Sequence, residues 1–169
     1  MPYPFNPPTP VCIPARWAAS RLPGKLGRSY LDTTVLGHAV RVAIAARLGP
    51  VHVIADDPRL LALVPSGPDV RAHLLDVPAR SGSERIAHAV RRGLLGETEL
   101  VLNLQADAVG ATPEVLRRAL DALRADPGAS LGTVAVRGTR VELLGRTTVA
   151  LAGARALYFS RWALPADRD

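Results

Sequence analysis

The sequence predicts an α/β layered protein: a mostly parallel, mixed sheet with helices on both faces, Rossmann-like in outline. Short apolar runs alternate at least four times with stretches of helical periodicity. Several of those runs are apolar throughout, as in strands buried on both faces. Size agrees. The 169 residues, 48% hydrophobic and 21% charged, suffice for one core and exclude a disordered chain.

Residues 1–10 hold five prolines and read as an extended lead-in. Residues 11–169 then read as a single domain. Val11-Cys12-Ile13-Pro14-Ala15 is a buried strand, and positions 16–31, rich in Arg, Gly, Ser and Pro, a loop. From Thr33 to Leu48, Val35, Leu36, Ala39, Val40, Ala43 and Ile44 recur at helical spacing, and Gly49-Pro50 stops the helix. Val51–Ala55 is a second strand, and Asp57–Val64 a short helix with Asp57 and Pro58 at its start. Val70–Leu75 is a third strand, and 76–82 a loop. Ser83 can cap a helix running to Leu95, with Ile86, Ala89, Val90 and Leu94 inward. Leu100–Leu104 is a fourth strand. Thr112-Pro113-Glu114 opens a helix: a capping hydroxyl, proline at the first position and an acid in the first turn. Ser130–Val136, Thr147–Leu151 and Ala156–Ser160 read as further strands.

The net charge of +6 invites a nucleic-acid or membrane partner. Composition weakens that reading. Twenty of the 21 basic residues are Arg, beside 27 Ala and 24 Leu, as in a GC-biased coding sequence. The arginines are spread over every segment and no nucleic-acid motif occurs. The one lysine, Lys25, stands out against that bias. Cys12 alone excludes an intrachain disulfide and a cysteine zinc cluster, and favours a reducing, cytoplasmic setting. No apolar stretch reaches eighteen residues, and the N-terminus lacks a basic signal-peptide region. His38, His52, His73 and His88 lack metal-ligand spacing.

In open parallel sheets ligands sit outside the carboxyl ends of the strands. The first such loop carries Arg16, Arg21 and Lys25, with Gly24 and small residues that let backbone approach a ligand. Arginine forks and a mobile lysine suit a polyphosphate. It is not a Walker A loop, since no GxxxxGK[ST] occurs. A solvated basic loop fits the same residues. Arg80-Ser81-Gly82-Ser83-Glu84-Arg85 opens the third helix, as a ligand loop or as plain capping. Asn103-Leu104-Gln105-Ala106-Asp107 ends the fourth strand. A carboxylate there suits Mg²⁺, or a turn.

These loops carry a resemblance. Ile13-Pro14-Ala15-Arg16 through Arg21-Leu22-Pro23-Gly24-Lys25 resembles the signature loop of the CMP-Kdo synthetases, cytidylyltransferases that activate 3-deoxy-manno-octulosonate. Ser81–Arg85 resembles that family's SGTER motif, with Ser83 for Thr. Asn103–Val109 resembles its NxQGDEP, with Ala106, Ala108 and Val109 in place of Gly, Glu and Pro. Ala156–Arg161 and Leu164–Asp169 resemble its ALYFSR and IPWDRD, with Ala166 where an aromatic is usual.

The resemblance implies a nucleotidyltransferase fold of the glycosyltransferase-A-like kind. It implies Mg²⁺-dependent transfer of CMP from CTP to an acidic acceptor, a Kdo-type sugar acid, with release of pyrophosphate, as in lipopolysaccharide biosynthesis. Ala15, Arg16, Arg21, Lys25, Ser81, Gly82 and Arg85 would bind the nucleotide. Lys25, Arg16 and Asp107 would be catalytic, with Asp107 also the metal ligand. Gln105, Arg161 and Arg168 would hold the acceptor. Transfer to a small phosphonate, or CTP binding without catalysis, are alternatives that the altered loop after Asp107 raises. Family members continue past the point where this chain ends, with a second metal-binding aspartate and much of a homodimer contact.

Overall fold

The structure, a computed structural model, describes residues 7–18, 22–137 and 146–162. It falls into two compact units, Met1–Gly132 and Thr133–Asp169.

The first unit is built on a parallel four-stranded sheet. In chain order the elements begin with strand β1 (Val11–Ala15), a 3₁₀ turn (Lys25–Gly27), and a small hairpin of β2 (Ser29–Tyr30) and β3 (Thr33–Thr34). Helix α1 (Val35–Ala46), β4 (Val51–Ala55), α2 (Pro58–Leu61), β5 (Val70–Leu74), α3 (Gly82–Arg91), β6 (Leu102–Asn103) and α4 (Pro113–Arg124) follow. The sheet order is β5-β4-β1-β6. Val11 pairs with Val51 on one side and Leu102 on the other, all parallel.

Every residue of β1 and β4 is buried. Alternation still sorts their side chains by face. Val11, Ile13, Ala15, Val51, Val53 and Ala55 pack with α1, α2 and α4, whereas Cys12 and Ile54 pack with Leu75 and with Ile86 and Ala89 of α3. Helices therefore cover both faces, which accounts for the unalternating apolar runs. The edge strand β5 is only partly buried.

Capping fixes where the helices start. Thr34, Asp57 and Thr112 accept backbone N–H bonds as N-caps of α1, α2 and α4. The cap of α3 is Ser81, two residues before the expected Ser83; its hydroxyl accepts the Glu84 N–H at 3.1 Å. The same helix stops at Arg91, and Gly93, with φ of +68°, turns the chain so that Leu95 reaches the core. Ile44 and Val90, expected inward, lie on helix flanks and are exposed. Gly49 is needed for space: a Cβ there would lie 2.4 Å from the Thr9 carbonyl oxygen. It seats the lead-in, whose Thr9 N–H donates to Leu48 O.

Three further expectations change. Positions 16–31 contain the 3₁₀ turn and β2, because Gly27 and Arg28 donate back to Gly24 and Lys25. The fourth strand is reduced to Leu102–Asn103, with ladder bonds from Leu102 to Pro10 and Leu104 to Cys12. Residues 130–137 form no strand; Leu131, Val134 and Val136 are exposed there. The second unit holds the expected antiparallel pair β7 (Thr148–Ala152) and β8 (Arg155–Ser160). Thr148 stitches it by donating to Ser160 O and Trp162 O.

His52, fully buried in β4, stacks on His73 of β5 with ring centroids 5.3 Å apart, and Nδ1 lies 3.1 Å from His73 Nε2. Burial, then His73 and Arg71, lower its pKa from 6.5 to about 4. The folded pKa lies below the unfolded one, so this stability is present above pH 6.5 and lost as pH falls towards 4. We predict that His52→Leu flattens the loss of unfolding free energy over that interval by about 3 kcal/mol, read by urea titration. An unchanged acid slope would remove His52 as its source.

Candidate active site

All four strands of the main sheet run in parallel, so their carboxyl ends share one edge. Strand order reverses at β1: β4 and β5 lie to one side, β6 to the other. The crevice outside such a switch point is where ligands bind in open α/β sheets. Ala15, the last residue of β1, is buried, and Arg16 beyond it is exposed.

The chain then reaches a turn at Gly24, with φ of +67°. That conformation favours glycine and presents Lys25 at the start of the 3₁₀ turn. Lys25 Nζ donates to Asp107 Oδ2 from the far side of the crevice, 82 residues on. Their side chains are 38% and 46% exposed. Such a half-exposed pair adds little to stability, about 0–1 kcal/mol, so a stronger anion can displace it.

Trp17 braces this loop. Its ring lies near Gly24 and Gly27, where an added Cβ would stand 3.9 and 4.0 Å from ring carbons. The Arg59 guanidinium sits 4.1 Å over the ring. Asp57 holds Arg59 through 2.8 and 2.5 Å bonds, and that pairing draws the Asp57 carboxyl down to about 2.

The loops after β5 and β6 meet beside Pro14. A Cβ on Gly82 would lie 2.9 Å from Pro14 Cγ and 3.0 Å from Gln105 Nε2. Glycine is therefore required at 82 by contact rather than by conformation. Gln105 Nε2 donates to Asn103 Oδ1 at 2.9 Å, and Asn103 Nδ2 to Ser83 Oγ at 3.4 Å. The hydroxyl of Ser81 is engaged as the α3 cap. Glu84 accepts the Arg80 N–H at 2.6 Å, which holds its carboxyl below the usual range.

Arg85 is placed differently from a side chain directed at a ligand. It is 4% exposed; Nη1 donates to Leu75 O at 2.8 Å, and Nη2 lies 3.4 Å from Asp56 Oδ2. Its charge is taken up within the fold. Asp56 also accepts the Trp17 N–H at 2.8 Å. Sequence reasoning missed Asp56, Trp17 and Arg59. The Asp56-Asp57 doublet at a strand's carboxyl end marks the place in the sequence but names no partner for either carboxylate.

Of the other expected site residues, Arg161 lies just after β8 in the second unit and is exposed, and Arg21 and Arg168 lie outside the described residues. Among the described residues no three His, Cys, Asp or Glu side chains are grouped to hold a metal. Asp107 supplies one carboxylate at this edge. That fits Mg²⁺ arriving on a nucleotide, which is held by one or two carboxylates plus phosphate oxygens and water. Burial pushes the Cys12 thiol up to about 12, so it is no nucleophile. Among the described residues no helix is long and apolar enough to cross a membrane.

The profile of the cytidylyltransferase family matches residues 11–169. The 3-deoxy-manno-octulosonate cytidylyltransferase of Idiomarina loihiensis is 36% identical over 166 residues, covering 94% of this chain and 64% of that protein. The enzyme of the same name from Halorhodospira halophila is 37% identical over 164 residues, with 94% and 63% covered. The chain thus spans just under two thirds of the length of these relatives. Among solved structures, a CMP:2-keto-3-deoxy-manno-octonic acid synthetase complexed with CTP superposes with a TM-score of 0.73 at 26% identity, covering 96% of this chain and 67% of that one. A 4-diphosphocytidyl-2C-methyl-D-erythritol synthase, at 19% identity and a TM-score of 0.56, shares the fold. With the family profile matching residues 11–169, and the parallel sheet consistent with it, the chain belongs to the cytidylyltransferase family, alongside the 3-deoxy-manno-octulosonate cytidylyltransferases.

Proposed function

We propose that this chain binds CTP at the carboxyl edge of its sheet and transfers CMP to a Kdo-type sugar acid, releasing pyrophosphate. The observation that carries this reading is the meeting of Lys25 and Asp107 across the crevice. Each lies in a stretch that resembles a CMP-Kdo synthetase motif, and a cation and a carboxylate have complementary roles towards a metal-bound triphosphate.

In the proposed reaction an acceptor hydroxyl attacks the α-phosphorus in line. The bond to the β-phosphate oxygen breaks, and the hydroxyl proton leaves to solvent or to a phosphate. Arg16, Arg21 and Lys25 hold phosphate oxygens and stabilise the charge that grows on departing pyrophosphate. Lys25 exchanges Asp107 for a phosphate oxygen, and the freed carboxylate is then available to a divalent cation. Mg²⁺ bound to the nucleotide would neutralise phosphate charge and fix the triphosphate's shape, with Asp107 as its protein ligand. Gly82 keeps the α3 entrance open beside Gln105, which faces the acceptor. Arg161 and Arg168 are proposed for the acceptor's carboxylate. No covalent intermediate is needed, so catalysis rests on positioning and electrostatics.

Release of pyrophosphate from CTP in the presence of the octulosonate tests the reading. Turnover with this acceptor supports it. CTP binding without turnover, or turnover only with a small phosphonate, contradicts the proposed acceptor chemistry. Lys25→Ala should lower kcat/KM by about 10²–10³ while leaving thermal unfolding within a few degrees, because its pair is half exposed. Full activity in that variant would remove Lys25 from the site. Asp107→Asn should raise the Mg²⁺ concentration giving half-maximal rate by about tenfold or more. An unaltered Mg²⁺ dependence would exclude Asp107 as ligand.

A further inference from the structure

We infer that Asp56 is a positioning residue for the triphosphate loop, anchoring its first turn through the Trp17 backbone N–H. The inference rests on the CTP-site reading for its kinetic consequence. Its structural basis is independent of it.

Asp56 follows β4 directly and grips the neighbouring strand end at two points. Its backbone N–H donates to Ala15 O at 3.3 Å. Its Oδ1 accepts the Trp17 N–H at 2.8 Å. These two bonds flank Arg16, so the backbone carrying that exposed cation is held from both sides. The other oxygen, Oδ2, is 3.4 Å from Arg85 Nη2. Arg85 is tied to Leu75 O, and so fixes the carboxylate's orientation.

The anchor extends along the loop. With its N–H held, the Trp17 ring lies under Arg59 and beside the Gly24 turn that presents Lys25. A loop carrying three cations repels itself and gains entropy when released. Binding a triphosphate to a released loop must then include the cost of ordering it. Apparent affinity falls by the fraction of chains in the competent conformation. Once bound, the loop is in place, so the chemical step is little changed.

The test compares Asp56→Asn with Asp56→Ala. Asparagine keeps an acceptor for the Trp17 N–H but lacks the charge facing Arg85; alanine lacks both. The anchor predicts that alanine raises KM for CTP about tenfold with kcat within about twofold, and that asparagine stays within about threefold of the parent. Equal effects from the two variants would assign Asp56 to Arg85 alone and overturn the inference. If alanine strands the buried Arg85 and the chain fails to fold, the comparison moves to Arg85→Met, combined with Asp56→Leu or Asp56→Asn. An apolar pair there leaves no unpaired buried charge, and the same KM ratio is expected.

The emission of Trp17 in a Trp162→Phe background reads the loop without any substrate. A shift with alanine and none with asparagine supports the anchor; identical emission in both overturns it. If the parent chain neither binds nor turns over CTP, the functional reading falls, and this emission comparison alone decides the anchor.

Discussion

Strand β1 lies between two parallel neighbours, and the rest of the first unit follows from that placement. Its five residues are fully buried, paired to β4 along their whole length and to β6 over two residues. Parallel pairing forces the carboxyl ends of β1, β4 and β6 onto one edge. The loop after β1 and the tip of β6 are therefore neighbours although 82 residues separate Lys25 from Asp107. The apolar faces of α1, α3 and α4 serve to keep that arrangement dry and rigid.

The charges around this edge divide by burial. Arg85 is withdrawn from solvent and held by Asp56 and a carbonyl, where loss of one partner is costly. Lys25 and Asp107 are half exposed and paired to each other, where exchange costs little. Two ion pairs at the same edge of the sheet thus have opposite characters, one buried and fixing the scaffold, the other half exposed and free to exchange. Arg59 stands between these cases, since it serves the loop through the Trp17 ring rather than through charge alone.

Much of the fold could be read from local signals that survive tertiary context. The apolar runs at 11–15 and 51–55 are strands because both faces are covered. Asp57-Pro58 and Thr112-Pro113 start helices as capping chemistry requires. Ser83 was the wrong cap because two serines lie within reach, and only the Ser81 hydroxyl lines up with an N–H three residues on, at Glu84. Residues 130–137 have β-type composition but form no strand, so propensity alone did not decide them. In the candidate site, the motif residues pointed to Lys25 and Asp107, which the structure brings into contact. Arg85 was legible as a motif position but not as a buried ion. Asp56 was not legible, because its partners are a backbone N–H and a side chain 29 residues away, and neither leaves a pattern in the sequence.

We propose that the carboxyl edge of the sheet is a triphosphate site assembled by Lys25 and its loop. Calorimetric titration with CTP and with CMP tests it most directly. CTP should bind, and CMP, lacking the β and γ phosphates, should bind at least about tenfold more weakly, since charge-assisted contacts are lost. Equal affinity for the two nucleotides, or no heat with CTP, would contradict it.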